Sequence, residues 1–301
     1  MDHSLSESLV TILNKLYREY QLPYLMMDPL ELVRGYDDCR DQEIAAFIAA
    51  AFAVGRYEMI RKTVKQVLEL MAPSPFLFIR SVSPADLEER FKTFTYRFYR
   101  ARDIGLLLWW IRQMIEINGS IRNFFLQTYS REEKDIGPSL SRFVRSVLRL
   151  STSPFYSKIH RGQGIRHFLS DPVDGSACKR LNLFLRWMVR KDSLDLGLWP
   201  EVSARQLIIP LDTHIARFGR YLGLTSRSAM DWRTAQEITY TLRQVDRSDP
   251  VKYDFALCTL GKLSDCARIS IAARCEICPV FQHCNAANAA AARHEVGQHP
   301  G

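Results

Sequence analysis

The sequence lacks the features that would direct a chain into a membrane or out of the cell. Its opening residues, MDHSLSESLV, contain neither a basic segment nor an apolar core, so we expect no secretory signal. The apolar runs are short and bounded by charge, and none reaches the roughly 18 residues that a membrane helix needs. We therefore expect no membrane partner and a cytoplasmic location.

Two further absences concern the fold. Runs of alternating apolar and polar residues, which indicate half-buried strands, are missing, and no internal repeat is present. Helical periodicity dominates instead, as in the apolar segment 41–54 and the amphipathic segment 57–71. Further helices are predicted over residues 102–118, 119–129, 139–150, 178–190, 213–222, 234–245 and 251–263. The sequence therefore predicts an all-α protein.

The same pattern predicts the domain organisation. The chain has 301 residues and 47% hydrophobic content, which is enough for a packed core. We expect a helical body over residues 1–264, with two lobes and a central loop near residues 151–164. A cysteine loop over residues 265–284 follows, and then an Ala-rich and polar tail, residues 285–301, which we expect to be disordered.

Charge points to an acidic partner. The formal net charge is +8, from 41 Lys and Arg against 33 Asp and Glu. A basic surface attracts phosphates and steers encounters with polyanions such as nucleic acids. Because many basic proteins bind no polyanion, charge alone does not identify the partner.

Seven cysteines are present, and an odd number in a chain without an export signal indicates a reducing compartment. Clustered cysteines there are more often metal ligands than disulfides. The spacing Cys-x8-Cys-x2-Cys-x5-Cys joins Cys266, Cys275, Cys278 and Cys284. Four thiolates suit a [4Fe–4S] cluster, and tetrahedral zinc would accept the same four.

Spacing favours the iron–sulfur cluster over zinc. Structural zinc sites usually contain two close cysteine pairs, whereas here only Cys275 and Cys278 form such a pair. Zinc and unligated thiols are the alternatives. The other three cysteines lie on predicted helices and are expected to be small buried hydrophobic residues; they are Cys39, Cys178 and Cys258.

The segment Pro210-Leu-Asp-Thr-His214 begins a predicted helix and contains a second candidate site. Asp212 stands at the N-cap position, where its carboxylate can accept backbone N–H groups and stabilise the helix by about 1 kcal/mol. Capping alone is a sufficient reason for an aspartate here. A catalytic carboxylate is the alternative.

An apolar-Pro-Leu-Asp-Thr-His-x-x-Arg segment, followed about fifty residues later by the four-cysteine loop, resembles the helix-hairpin-helix DNA glycosylase superfamily. The endonuclease III-like branch with a C-terminal iron–sulfur loop is the nearest match, although its first cysteine gap is usually x6 rather than x8. Within that superfamily the chain is similar to an uncharacterised bacterial branch, on the segments Ser176–Asp192 and Pro250–Gly261. The resemblance implies a two-lobed helix-hairpin-helix glycosylase-like fold.

The resemblance also implies catalytic roles. Asp212 matches the carboxylate that stabilises positive charge on the deoxyribose as the base leaves, or that orients the attacking group. Lys179 matches the lysine that forms a Schiff base in members that also cleave the strand, and Arg180 beside it would favour the neutral amine. The alternative is that Lys179, Arg180, Arg186 and Arg190 form a solvated or phosphate-contacting face.

DNA contacts are implied at several places. The family hairpin normally reads Leu-Pro-Gly-x-Gly, whereas this chain has Asp174-Gly175-Ser176, so that phosphate contact is altered or displaced. The segment Lys191–Leu207 is expected to be an insertion, and Tyr96–Asp103 interleaves aromatic residues with arginines. The candidate DNA-binding residues are Arg56, Gly175, Ser176, Arg180, His214 and Arg217.

Together these expectations describe a bacterial, nucleoid-associated and monomeric DNA glycosylase, with or without lyase activity. It would remove a damaged or mismatched base from double-stranded DNA in base-excision repair. The alternative is a non-catalytic iron–sulfur module on the same scaffold that binds DNA or RNA.

Overall fold

The computed structural model describes residues 5–160, 164–263, 275 and 278–285. Over these residues the chain is mostly helical. In chain order the α-helices are α1 Glu7–Glu19, α2 Leu30–Val33, α3 Cys39–Ala51, α4 Tyr57–Leu70, α5 Pro75–Ser81, α6 Pro84–Arg90, α7 Ala101–Asn118, α8 Ile121–Leu126, α9 Gly137–Leu148, α10 Lys179–Val189, α11 Thr213–Tyr221, α12 Trp232–Leu242 and α13 Asp254–Leu263. Short 3-10 helices cover Leu22–Met27, Gly164–His167, Pro172–Asp174, Ala204–Gln206, Pro250–Tyr253 and Phe281–His283.

The all-α prediction is confirmed, with one small addition. Two short strands, β1 Thr95–Tyr96 and β2 Tyr99–Arg100, pair in an antiparallel hairpin between α6 and α7. Two residues per strand are too few to show alternation in the sequence. At the tip, Arg97 has a φ of 53°, a left-handed conformation that a non-glycine residue adopts uncommonly.

Helix α3 forms the centre of the core because every side chain from Ile44 to Ala51 is apolar and buried. Its N-cap is Asp38, whose carboxylate accepts the backbone N–H of Arg40. It packs against α10, where the rings of Phe47 and Phe184 meet edge to face with centroids 5.0 Å apart. The carboxyl end of α3 therefore lies beside the start of α10.

One connected group of buried apolar side chains runs from Leu9 in α1 to Val280 near the chain's other end. Ser6 caps α1, which packs on α13 and on the 3-10 helix Pro250–Tyr253. Three tryptophans belong to this interior and are fully buried: Trp110, Trp187 and Trp199.

The segment Lys191–Leu207, which is expected to be an insertion, packs into the body of the protein. This segment folds back along α10, where the N–H groups of Leu196 and Trp199 donate to the carbonyls of Trp187 and Met188. The indole Nε1 of Trp199 donates to the buried Glu43 on α3 at 2.9 Å. The segment is therefore part of the core.

Arg186 in α10 and Arg190 at its C-cap lie in the interior rather than on a solvated or phosphate-contacting face. Arg186 is 1% exposed and pairs with Asp254 on α13, with Asp195 and with Asp28. Arg190 pairs with Asp192, Asp195 and Asp249, which completes an ion-pair network of buried and partly buried groups. Burial raises the pKa of Asp195 and of Asp254 to about 6, even though Arg186 acts in the opposite direction.

No helix within the described ranges is long and apolar enough to cross a bilayer. The predicted tail begins at Asn285, the last residue described, so residues 286–301 lie outside the described residues.

Candidate active site around Asp212

Asp212 is the N-cap of α11, as the sequence predicts. Its Oδ1 accepts the backbone N–H groups of His214 at 2.9 Å and Ile215 at 2.8 Å. These two bonds use N–H groups that have no partner within the helix, and the positive end of the helix dipole faces the carboxylate. The side chain is thereby held in one orientation at the helix start.

The surroundings of Asp212 favour its charged form. Burial alone would raise its pKa, but Lys179, the N–H of Ile215, His214 and the thiol of Cys258 act in the other direction and lower it below the usual range. The carboxylate is therefore ionised at neutral pH. It can stabilise a developing positive charge near it.

Lys179 is the first residue of α10 and lies close enough to influence Asp212 electrostatically. Its Nζ also donates to the backbone carbonyl of Ala53 at 3.1 Å, just past the end of α3. The structure thus brings together the two residues that the sequence analysis assigned to catalysis. It also gives Lys179 a second role, since a cation at a helix C-terminus complements the dipole there.

Arg180, like Lys179, extends toward the end of α3. Its guanidinium donates to the carbonyl of Ala51 at 3.4 Å and to the hydroxyl of Tyr99. Nearby, the hydroxyl of Tyr96 donates to the carbonyl of Val54 at 2.6 Å. Side chains from α10 and from the β1–β2 hairpin therefore hold the same short loop after α3.

His214 and Arg217 lie on the first turns of α11. Burial lowers the pKa of His214, and although Asp212 opposes this, the charges of Arg217 and Lys262 add to it. His214 is therefore neutral at neutral pH. Its imidazole packs directly on Gly261 of α13, where a Cβ would come within 2.7 Å of Nδ1.

Cys258 is a member of the site that the sequence analysis did not select. It lies on α13, and its thiol donates to Asp212 Oδ2 at 3.4 Å. Burial and the neighbouring Asp212 raise the pKa of this thiol, so it stays protonated and available as a donor. Because 46 residues separate the two side chains, no local pattern could have revealed the contact.

The turn before α10 contains the candidate contacts Gly175 and Ser176. Gly175 has a φ of 80°, a left-handed conformation, and its carbonyl accepts the N–H of Trp232 at 2.9 Å. The hydroxyl of Ser176 accepts the N–H of Cys178 at 3.3 Å. At the tip of the turn Val173 is 68% exposed, so a large partner can reach this part of the backbone.

A second exposed set adjoins the loop after α3. Arg56 is the exposed N-cap residue of α4 and follows Gly55, whose φ is 115°. The guanidinium of Arg97 covers Gly55 so closely that a Cβ there would lie 2.9 Å from Nη1. Phe98, 43% exposed, extends from the hairpin tip beside Arg97.

Three of the four cysteines predicted to bind a cluster lie within the described residues, and Cys266 lies outside them. The N–H of Cys278 donates to the carbonyl of Cys275 at 3.0 Å, and Cys284 is buried. Cys278 lines a groove together with residues of α1. Thiols are the donor type that iron–sulfur clusters and zinc require. In the described part of the chain, no group of three or more His, Cys, Asp or Glu is placed to hold a metal ion.

The site and the helical fold can now be compared with known proteins. Residues 28–263 match the model of a family described as a protein of unknown function, DUF2400, and the chain belongs to that family. No curated protein and no solved structure matches the chain. The matched residues include Lys179, Asp212 and Cys258 and end before Cys266.

The family match corrects one expectation from the sequence. The chain was expected to belong to the helix-hairpin-helix DNA glycosylase superfamily, in an endonuclease III-like bacterial branch, and that assignment is wrong. The resemblance depended on short segments: a proline before an N-cap aspartate, and a cysteine spacing outside the matched residues. An aspartate that caps a helix is common for reasons of local stability, so such a segment identifies a family poorly.

Proposed function

We propose that this protein is a DNA N-glycosylase that removes a damaged or mismatched base. The observation that carries the proposal is the fixed carboxylate of Asp212 at the start of α11, with Lys179 close enough to keep it ionised. The proposal depends on this geometry and on the net charge of +8, and not on family membership. The expected location is the bacterial cytoplasm, in association with the nucleoid.

Asp212 suits the charge that such a reaction creates. Breaking an N-glycosidic bond leaves positive charge on the sugar, and a carboxylate whose orientation is already fixed stabilises that charge without reorganising. Two N–H donors and the Cys258 thiol hold both oxygens of Asp212. A carboxylate with a lowered pKa is a weak general base, so its main contribution is electrostatic.

Lys179 would give the enzyme lyase activity. Its neutral amine would form a bond to the sugar C1′ as the bond from C1′ to the base breaks, and the proton lost from the amine nitrogen would pass to the departing base. To do so, Nζ must leave the carbonyl of Ala53, to which it donates in the free protein. Substrate binding near the loop after α3 would have to release it.

The partner in this proposal is double-stranded DNA that contains a lesion. Two exposed elements flank the site: the turn at Val173–Ser176, and the tip formed by Arg97, Phe98 and Arg56. Arginines suit phosphates, and an exposed aromatic ring suits an unstacked base. His214 and Arg217 lie next to Asp212 and would contact the DNA backbone or the flipped nucleotide.

The cofactor in this proposal is a [4Fe–4S] cluster on Cys266, Cys275, Cys278 and Cys284, with zinc as the alternative metal. Its expected role is to hold the C-terminal segment in shape. No catalytic step is assigned to it.

The test is an assay with a panel of lesion-containing duplexes. We expect wild-type protein to release a base from at least one of them, and Asp212→Asn to slow release by roughly 100-fold or more. Borohydride should trap a covalent complex with wild type and not with Lys179→Ala. Base release that survives Asp212→Asn at the wild-type rate would contradict the role given to Asp212.

A second candidate function is a non-catalytic module that binds DNA or RNA. The hydrogen bond from Lys179 Nζ to the Ala53 carbonyl favours this second function, because it gives the lysine a structural role as a cap at the end of α3. On this view the protein would bind duplexes or structured RNA, and Lys179→Ala would lower stability without removing any activity. Binding with no processing of any lesion would support this second function.

A further inference from the structure

One face of helix α13 borders the Asp212 carboxylate at the start of α11. Cys258, Gly261 and Lys262 lie at positions i, i+3 and i+4 of α13, so they project from the same side of that helix. Cys258 contacts Asp212, Gly261 packs on His214, and the charge of Lys262 acts on both. The function proposed above uses only the contact of Cys258 with Asp212 and assigns no role to Gly261 or Lys262.

The close packing of α11 and α13 is what brings the thiol within reach. A Cβ at position 261 would lie 2.7 Å from His214 Nδ1 and 2.8 Å from its Cβ, a separation that real contacts do not show. Glycine at 261 therefore permits a close approach of the two helices. One turn earlier on α13, that approach sets the distance of 3.4 Å between Cys258 Sγ and Asp212 Oδ2.

The two carboxylate oxygens of Asp212 have different partners. Oδ1 is occupied by the N–H groups of His214 and Ile215, which belong to the capped helix itself. Oδ2 has the thiol of Cys258, which comes from a different helix. Rotation of the carboxylate is thus limited at both oxygens, and the partner of Oδ2 is a neutral donor.

We propose that Cys258 is a positioning residue for the active carboxylate: its S–H donates to Asp212 Oδ2 and holds that oxygen in its working orientation. The inference rests on the proposed function of Asp212 for its catalytic consequence. The contact itself is independent of that function. The thiol donor is uncharged, so it orients the carboxylate without cancelling its negative charge. A second ammonium beside that of Lys179 would cancel it.

Several charged or titratable groups act together with Cys258 on Asp212. Lys179 approaches from α10, His214 from α11, and Lys262 and Asp254 from α13. Lys262 Nζ also donates to the carbonyl of Met27 at 2.8 Å, which holds it in place. The effect of the thiol must therefore be measured as a difference between variants in which these four groups are unchanged.

The experiment compares three substitutions at position 258 in the full-length protein. Cys258→Ser keeps a donor, Cys258→Val keeps an apolar side chain without one, and Cys258→Ala removes both donor and volume. The readout is the pKa of the Asp212 carboxyl, from its carbon NMR signal assigned with Asp212→Asn. A hydrogen bond of ordinary net strength corresponds to roughly half a unit to one unit of pKa.

We expect the pKa of Asp212 to rise by that amount in Cys258→Ala and Cys258→Val and to stay near the wild-type value in Cys258→Ser. The S–H stretching band, isolated by subtracting the infrared spectrum of Cys258→Ala from that of wild type, should shift as Asp212 is protonated. If Cys258→Val and Cys258→Ala leave the pKa unchanged, or if the band is insensitive to pH, the positioning role is wrong. Should Cys258→Ala fail to fold, the spectrum of Cys258→Val serves for the subtraction, and the infrared measurement still decides.

Activity supplies a separate readout. If wild type releases bases, the acid limb of the kcat/KM profile should move with the Asp212 pKa in each variant, and Cys258→Ser should retain the wild-type profile. An inactive wild-type protein with the expected pKa changes would reject the glycosylase proposal and leave the contact between Cys258 and Asp212 established. An active protein without those pKa changes would support the glycosylase proposal and reject the positioning role of Cys258.

Discussion

The guanidinium of Arg186 on α10 is bound to the carboxylate of Asp254 on α13, with 2.5 Å between Nη1 and Oδ2. The same arginine pairs with Asp195 and with Asp28. It therefore joins three distant parts of the sequence in the interior. These parts include the two helices that contribute Lys179 and Cys258 to the candidate site.

Loss of this arginine should destabilise the protein strongly. Arg186→Met leaves buried carboxylates without their counter-charge, and removing one partner of a buried ion pair costs about 3–5 kcal/mol. Denaturant unfolding at neutral pH measures the change. Arg247→Met, at an exposed arginine, is the control and should change the free energy of unfolding by less than about 0.5 kcal/mol.

The same variant should respond to pH in a defined direction. The folded-state pKa values of Asp195 and Asp254, about 6, lie above the unfolded value of about 4, so the folded state takes up more protons on acidification. These carboxyls thus add stability as the pH falls through about 6. Without the charge of Arg186 the pKa values of these carboxyls rise further, so Arg186→Met gains more stability than wild type as the pH falls, and its defect should shrink between about pH 8 and about pH 5. A constant defect over that interval would contradict this account.

Asp212 should show the opposite pH dependence. Its folded-state pKa is lowered, so its ionised form contributes stability above the unfolded pKa of about 4, and this contribution is lost as the pH falls further. Asp212→Asn keeps a good capping group and should lose at most about 1 kcal/mol at neutral pH. We expect the stabilities of the two proteins to converge in acid, as measured by thermal unfolding. A difference in stability between the two proteins that grows as the pH falls would contradict the lowered pKa of Asp212.

Phe98 offers a test of the proposed DNA surface. Its ring is partly exposed beside Arg97, and stacking of a base on an aromatic ring is worth about 1–3 kcal/mol. Phe98→Ala should weaken binding to lesion-containing duplexes by that amount with little change in Tm. Ile117→Ala, at an exposed apolar residue at the end of α7, is the control and should bind as wild type does. Equal affinities for wild type and Phe98→Ala would remove this contact from the proposal.

The proposed cluster on the four C-terminal cysteines leads to a prediction about the metal content of the purified protein. Anaerobically purified protein should be brown and contain iron and sulfide, and Cys284→Ala should lose both because one of four ligands is missing. The control is Cys39→Ala, since Cys39 is an exposed cysteine at the start of α3. A colourless wild-type protein that contains zinc would replace the cluster with the alternative metal.

Local features of this fold could be predicted well from the sequence. The start of α11 at an N-cap aspartate follows from the residue types alone, and Gly223 after α11 adopts the left-handed conformation expected past a helix end. Helix α1 was missed, although Leu9, Leu13 and Leu16 have helical spacing and are buried. A search for this spacing at the chain's start would have found it.

Features that depend on distant contacts could not be predicted. Nothing near Cys258 indicates that its partner is Asp212, and nothing near Arg186 indicates three buried carboxylates. A charged residue on a helix is usually solvated, so surface exposure was the reasonable expectation for Arg186 and Arg190. Family membership was also beyond the short motifs, because a cap and a cysteine spacing each arise for general reasons.

The groove beside Cys278 joins the two ends of the sequence. Ile12, Lys15 and Leu16 from α1 line it together with Pro279, Phe281 and Gln282 from the other end. Both sets lie outside residues 28–263, which are the part shared with the family. Two segments that are far apart in the sequence and flank the matched residues thus meet at one groove. A change in either segment therefore alters the same surface.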